Sequence, residues 1–478
     1  MKNLIGSKWM DASNNETIEV TNPYNNEHLD TVPSSTLEDV NLVVEEAVKG
    51  QKEWVKKPIH ERGKILLEFL RLVEAEKDSL AELLCKETGK PITEAKGEIG
   101  NVSIAIPSFV ERAKHLYDEV IPEGTEAGQE KTIQMVTREP LGVVAAIIPF
   151  NFPVDLFCQK VPSALIMGNS IIIKPSTYNP LTLTRLTELL VKAGVSTGAV
   201  NVIHGEGPVV GQGLASNKGV NLISLTGSTA VGMQTMKTAS DNLTHVTLEL
   251  GGNDAFILLE DGDMDLAVKE TVWGRLYNTG QVCCASKRFL IHNSRKEEYI
   301  NRVTEEINKL VVGDTMNPET TIGCLINEKA AITVENQVNE MVNKGAKVVV
   351  GGTRNGASYD ATILTDVTKD MDVAIDMEIF GPVITVIGFD TVDEAIEIAN
   401  SSSFGLCGSV ITEDMKKAFY VVKRLECGGA IINGASFFRS FEMPFGGWKH
   451  SGIGNEGVMT TLDEMTRKKT IVLKNILS

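Results

Sequence analysis

From Gly142 onward the chain alternates two textures. VVAAIIP, SIIIKP, AVNVIHG, NLISLTG and HVTLELGG are short, nearly unbroken apolar runs rich in Val and Ile, and segments of helical length such as NPLTLTRLTELLVKAG lie between them. A strand with one face in water alternates apolar and polar residues, whereas a continuous run belongs to a strand covered on both faces. Strands of that kind, alternating with helices, form a parallel sheet with helices on either side. After Gly251 a second series follows, in DAFILLED, KRFLIHN, KVVVGG, CGSVIT and AIING. No Pro- or Ser-rich linker and no fixed-period repeat separates the two. The expected fold class is α/β, with two doubly wound domains joined closely around a cleft. At 478 residues the chain has room for two or three domains.

The segment before Gly142 is different. About the first 35 residues are rich in Asn, Thr and Pro and read as short strands and turns. Ser35 and Glu38 form a capping-box pattern ahead of LEDVNLVVEEAVKG, which predicts a helix ending at Gly50. ERGKILLEFLRLVEAEKDSLAELLCKETGK continues at helical spacing.

Charge narrows the partners. With 46 basic and 63 acidic residues the net charge is -17, which disfavours nucleic acid and anionic membranes. LGVVAAIIPF, the densest apolar run, is too short to cross a bilayer. No N-terminal stretch reads as a secretion signal, and seven cysteines suggest no disulfide framework, so a reducing cytoplasm is expected.

Several stretches could carry chemistry. HGEGPVVG has glycines at 205, 207 and 211, one residue longer than the usual dinucleotide fingerprint, and reads as a plain turn or a phosphate site. LTGSTAVG, with Gly227, Ser228 and Thr229, is a second strand-turn-helix junction able to present donors at a helix N-terminus. Two such junctions in one sheet favour a dinucleotide. DGDMD lacks the glycine and glutamate that a calcium loop needs and reads as a helix start. The seven histidines have no metal-ligand spacing, so no metal is expected. Cys283 and Cys284 in NTGQVCCASKR could be small apolar packing residues or a reactive thiol at a glycine turn, with no histidine partner nearby. Glu249, closing the run in LELGG, is a solvent-facing strand end or a general base.

Taken in order, NFP at 151–153, KPS at 174–176, GST at 227–229, ELGG at 249–252, GQVC at 280–283, EIFGPV at 378–383 and PFGGWKHSG at 444–452 resemble the aldehyde dehydrogenase superfamily over essentially the whole chain. The resemblance implies an enzyme in which Cys283 attacks an aldehyde, with Cys284 a neighbour. Asn151 and the Cys283 N–H would hold the oxyanion, and Glu249 would activate the water that releases a carboxylic acid. It implies cofactor contacts from Phe150, Lys174 (adenosine ribose), Ser176, Thr177, Gly207, Gly211, Gly227, Ser228 (pyrophosphate), Glu378 (nicotinamide ribose) and Phe380. Thr177 stands where NAD-selective members often have a glutamate, so NADP is expected and NAD also allowed.

The family fold implies a nucleotide-binding domain over 1–118 and 142–250, and a catalytic domain over 251–448. A β-flap over 119–141 and 462–478, which includes KTIQMVTREPLG and KKTIVLKN, would build a homodimer or homotetramer. Many members have Lys after ELGG, but this chain has Asn253. Members that transfer the acyl group to coenzyme A commonly lack the glutamate, so its presence favours water. A non-catalytic binding protein on this scaffold would be expected to have lost Cys283, Glu249 or Asn151, and all three are present.

Substrate choice falls on NGASFFRSFEMPFGG. Phe437, Phe438 and Phe441 would line an apolar pocket, and Arg439 is either a surface charge or the grip for an anionic tail. The resemblance brings in succinate-semialdehyde, lactaldehyde and non-phosphorylating glyceraldehyde-3-phosphate dehydrogenases as relatives. The succinate-semialdehyde type often has an arginine where this chain has Gln159.

Overall fold

The computed structural model describes residues 1–474, so residues 475–478 of the predicted flap, including Asn475, lie outside the described residues. Every apolar run singled out above is a strand. The first sheet has eight strands, and its centre is the parallel set Val200–Val202, Ser170–Lys174, Val143–Ile147, Leu222–Thr226 and His245–Glu249. The strand Asn3–Ile5 pairs antiparallel at one edge and Gly452–Ile453 at the other. The second sheet has seven strands, in the order Lys347–Val350, Thr362–Val367, Val383–Phe389, Ser286–His292, Asp254–Leu258, Cys407–Ile411 and Gly429–Ile432, and only the first pair is antiparallel. Each sheet is covered by helices on both faces, which is why its strands read as unbroken apolar runs. The third sheet is the flap, in which Thr466–Lys474 and Glu119–Ile121 flank Thr132–Pro140.

Two local expectations change. The first long helix runs from Leu37 to Trp54, capped by Thr36 rather than Ser35. Thr36 Oγ1 accepts from Asp39 N and Asp39 Oδ2 accepts from Thr36 N, while Ser35 is taken by the Asn3 amide. The same capping logic thus operates one residue later than predicted, because Asp closes the box as well as Glu does. Gly50 does not end this helix. A Cβ there would sit 2.1 Å from the Gly198 carbonyl carbon, so the glycine serves a close backbone approach. The segment ERGKILLEFLRLVEAEKDSLAELLCKETGK forms two helices, Ile59–Ala75 and Lys77–Thr88, broken at Glu76. DGDMD is a helix start, with Asp263 accepting from Leu266 N at 3.1 Å. Among the described residues no helix is long and apolar enough to cross a membrane.

Candidate active site

In parallel sheets, ligands gather at the carboxyl ends of the strands. Here Phe150 and Asn151 follow Val143–Ile147, Lys174 ends its strand, Gly207 follows Val200–Val202, Ser228 follows Leu222–Thr226 and Glu249 ends His245–Glu249. Across the cleft, the second sheet brings up Cys283 just ahead of Ser286–His292 and Glu378 just ahead of Val383–Phe389.

The turn that carries the thiols is bent into the left-handed region, with φ of 50° at Asn278, 54° at Thr279 and 74° at Gly280. A Cβ on Gly280 would lie 2.3 Å from Gly381 O, so this position needs glycine on two counts. Gln281 braces the turn, donating to Cys324 O and accepting from Ile326 N. Cys283 is half-buried and Cys284 buried. The Cys283 thiol is pulled down to about 7 by a hydrogen bond from Cys284, then by the charges of Lys287 and Arg439, against the effect of burial. Cys284 is pushed well up by the same hydrogen bond and by burial.

Asn151 is buried beside this turn. Its carbonyl accepts from Asn278 Nδ2 at 2.9 Å and from Lys90 Nζ at 2.8 Å, and Lys90 is itself paired with buried Glu98. Glu98 in turn accepts from Val154 N, so it caps the helix Pro153–Ile166 that follows Asn151.

Glu249 is buried, and among the described residues its Oε2 has no hydrogen-bond partner. Burial, then the neighbouring Glu456 carboxylate, push its carboxyl well above the usual range. Glu456 accepts from Lys160 Nζ at 2.6 Å and from Arg439 Nη2 at 2.6 Å. Burial would push Glu456 up, but these two cations prevail and hold it below the usual range.

Of the three phenylalanines around Arg439, Phe437 faces the site. Its ring lies 4.8 Å from Trp273, 5.2 Å from Tyr277 and 6.3 Å from Phe152, and it packs in one cluster with Cys283. Phe438 turns outward and is 53% exposed, and Phe441 packs against the hydrophobic core on one face of the first sheet. The Arg439 guanidinium lies 4.1 Å over the Phe445 ring. Gln159 is buried, with its Oε1 unpartnered among the described residues.

The cofactor candidates are also brought together. Phe150 meets Tyr178 and Phe380 edge-on at 6.3 and 6.0 Å, and with Gln337 and Glu378 they line a cleft of ≈ 320 Å³. Lys174 is buried and its ammonium is lowered to about 8 by desolvation, while Ser176 accepts from Tyr178 N and Thr177 is half-buried. A Cβ on Gly207 would meet nothing within 4 Å, and on Gly211 or Gly227 only one side chain each, at 4.0 and 3.5 Å. Gly207 and Gly227 therefore present faces open to an approaching group, while Gly211 is buried beneath them. Ser228 caps the helix Thr229–Ser240. Glu378 Oε1 accepts from Gly252 N at 3.3 Å and pairs with Lys287 at 3.2 Å. Glycine faces, a helix N-terminus and a carboxylate beside an aromatic cleft fit a dinucleotide.

Asn253 has a clear place. Its amide donates to Val373 O at 3.1 Å and Ile375 O at 2.9 Å, tying the ELGG turn to the segment that leads into Glu378. Sequence reasoning missed Lys160, Glu456, Lys287 and Lys90. Lys160 left a signal, as a lone ammonium inside the apolar run VDLFCQKVPSALI. The other three left none.

Residues 9–471 match the Aldehyde dehydrogenase family. A 3-sulfolactaldehyde dehydrogenase of Priestia megaterium is 37% identical, over 98% of this chain and 97% of that one. The NADP(+) succinate-semialdehyde dehydrogenase of Escherichia coli is 36% identical, over 95% of this chain and 94% of its own. The crystal structure of an E. coli NADP-dependent enzyme superposes with a TM-score of 0.96 at 35% identity, covering 99% of this chain and 98% of the other. The chain belongs to the aldehyde dehydrogenase family.

Proposed function

We propose that this protein oxidises a short aldehyde, carrying an anionic or hydroxylated tail, to its carboxylic acid, with NADP as the preferred cofactor and NAD accepted. The observation that supports this most is a thiol lowered to about 7 facing a buried carboxyl that its charge helps to raise and whose Oε2 is unpartnered among the described residues.

In this reading Cys283 attacks the aldehyde carbon as a thiolate. The Asn151 amide and the Cys283 N–H receive the negative charge that moves onto the aldehyde oxygen, and the fastened Asn151 carbonyl keeps that donor in place. Bound nicotinamide supplies a hydride acceptor. Phe150, Glu378 and Phe380 hold that end of the cofactor, while Lys174, Ser176, Thr177, Gly207, Gly211, Gly227 and Ser228 hold the ribose and phosphates. Thr177 brings a hydroxyl and no negative charge to the ribose, which supports NADP. Once the acyl group is on Cys283 as a thioester, Glu249 takes a proton from water, and the acid leaves.

Arg439 supports the tail. One of its N–H groups is taken by Glu456, and its other donors have no partner among the described residues, so a fork held over Phe445 remains for a carboxylate, sulfonate or phosphate. The flap supports self-association as a homodimer or homotetramer, since it exposes Ile471 and Val472 at 37% and 50%.

Glu249→Gln tests the reading, with NADP and NAD compared side by side. The variant should release one reduced cofactor per site in a burst and then turn over slowly, because acyl transfer precedes the need for a base. Steady turnover at the unmodified rate would remove Glu249 from the reaction, and a strong preference for NAD would remove Thr177 from cofactor choice.

A further inference from the structure

Lys287 sits second in the strand Ser286–His292, and its side chain is 2% exposed. A buried ammonium persists only where partners compensate for lost water. This one has two. It donates to the Cys283 carbonyl at 2.5 Å and pairs with Glu378 Oε1 at 3.2 Å. Glu378 in turn lies against the ELGG turn, where a Cβ on Gly251 would come within 2.4 Å of its Oε2. Three segments far apart in sequence therefore meet at one positive charge.

We propose that Lys287 is a positioning residue for the reaction. Its ammonium ties the carbonyl of the nucleophile turn to Glu378, sets the thiol against the nicotinamide-ribose site, and supplies positive charge beside the thiolate. This rests on the reading of Cys283 as the nucleophile. The charges that face the thiol explain why one ammonium matters. Lys287 and Arg439 are the cations, and Glu378, Glu249 and Asp254 are the carboxyls. Cys284 and Cys407 are the remaining titratable neighbours. Arg439 is already paired with Glu456 on the substrate side, so Lys287 is the cation on the cofactor side. Without it, Glu378 faces the thiol on the cofactor side with no cation against it, since burial pushes Glu249 and Asp254 up toward their neutral forms.

The test is the pH dependence of iodoacetamide labelling of the full chain, without cofactor or aldehyde, read by mass spectrometry at each cysteine. Lys287→Met and Lys287→Gln should raise the midpoint at Cys283 by about one pH unit. Lys287→Gln keeps a donor for the Cys283 carbonyl, so it separates charge from hydrogen bonding. Glu378→Gln, at a partly exposed position, should lower the midpoint. A loss of packing alone would not move the two substitutions in opposite directions. The KM for cofactor should also rise in both Lys287 variants. An unmoved midpoint in a folded Lys287 variant would overturn the proposal. If neither lysine variant folds, an unmoved or raised midpoint in Glu378→Gln does so. Labelling that falls on Cys284 instead would overturn the assignment of the nucleophile itself.

Discussion

Cys283 and Cys284 are adjacent in one turn but differ in environment. Cys283 is half-buried, and its thiol is held low by the adjacent Cys284 and by two cations, whereas Cys284 is pushed well up by Cys283 and by burial among Val282, Ala285 and Leu406. Cys283→Ser should abolish both oxidation and acyl-enzyme formation, and Cys284→Ser should retain most activity. With the thiol near 7, the reactive thiolate is lost below that pH, so kcat/KM should climb with pH and level off above about 7. A flat profile across this range would separate the thiol from the limiting step. Arg439→Ala carries a second expectation at this scale. A charge-assisted contact is worth about 1.5–3 kcal/mol, so rates on anionic aldehydes should fall about tenfold to a hundredfold, and rates on propanal should not. Equal losses on both would make Arg439 a support for Glu456 rather than a contact for the tail. Residue types and their motif order were legible in the sequence here. Which phenylalanine faces the thiol was not, because the loop 433–447 has no period from which a direction could be read.

Elements position these side chains through their ends. The ELGG turn, the short helix Asp372–Ile375 and the loop to Glu378 are held together by the Asn253 amide. Asn253→Ala should orphan two carbonyls, cost about 1–3 kcal/mol and loosen Glu378. The measurable result is a rise in KM for the cofactor, with the alkylation rate of Cys283 little changed. An unaltered KM would make Asn253 a matter of stability alone. Strand and helix identities were legible because burial on both faces leaves an unbroken apolar signature. Their boundaries were less so. The first long helix starts one residue later than its capping pattern suggested, and it passes through Gly50 because a neighbouring backbone needs that space.

At the scale of the whole molecule, the flap pairs Thr466–Lys474 with Thr132–Pro140 across more than 300 residues of chain and leaves apolar side chains on its surface. Ile471→Asp with Val472→Lys should shift the protein to a smaller species in sedimentation velocity, with its melting temperature read alongside. An unchanged species would place self-association elsewhere. The alternating apolar runs determined the α/β class, because burial along an element is a local property, and the ordered motifs carried the family resemblance that nominates Cys283, Glu249 and Asn151. Only the tertiary structure decided that Lys160 and Arg439 share Glu456 beside Glu249, that Lys287 joins Cys283 to Glu378, and that Lys90 fastens Asn151. Lys160 and Glu456 are 296 residues apart in the chain. Side-chain periodicity records which face of an element is buried. Which charges meet there is set by how the two sheets and the segments between them dock.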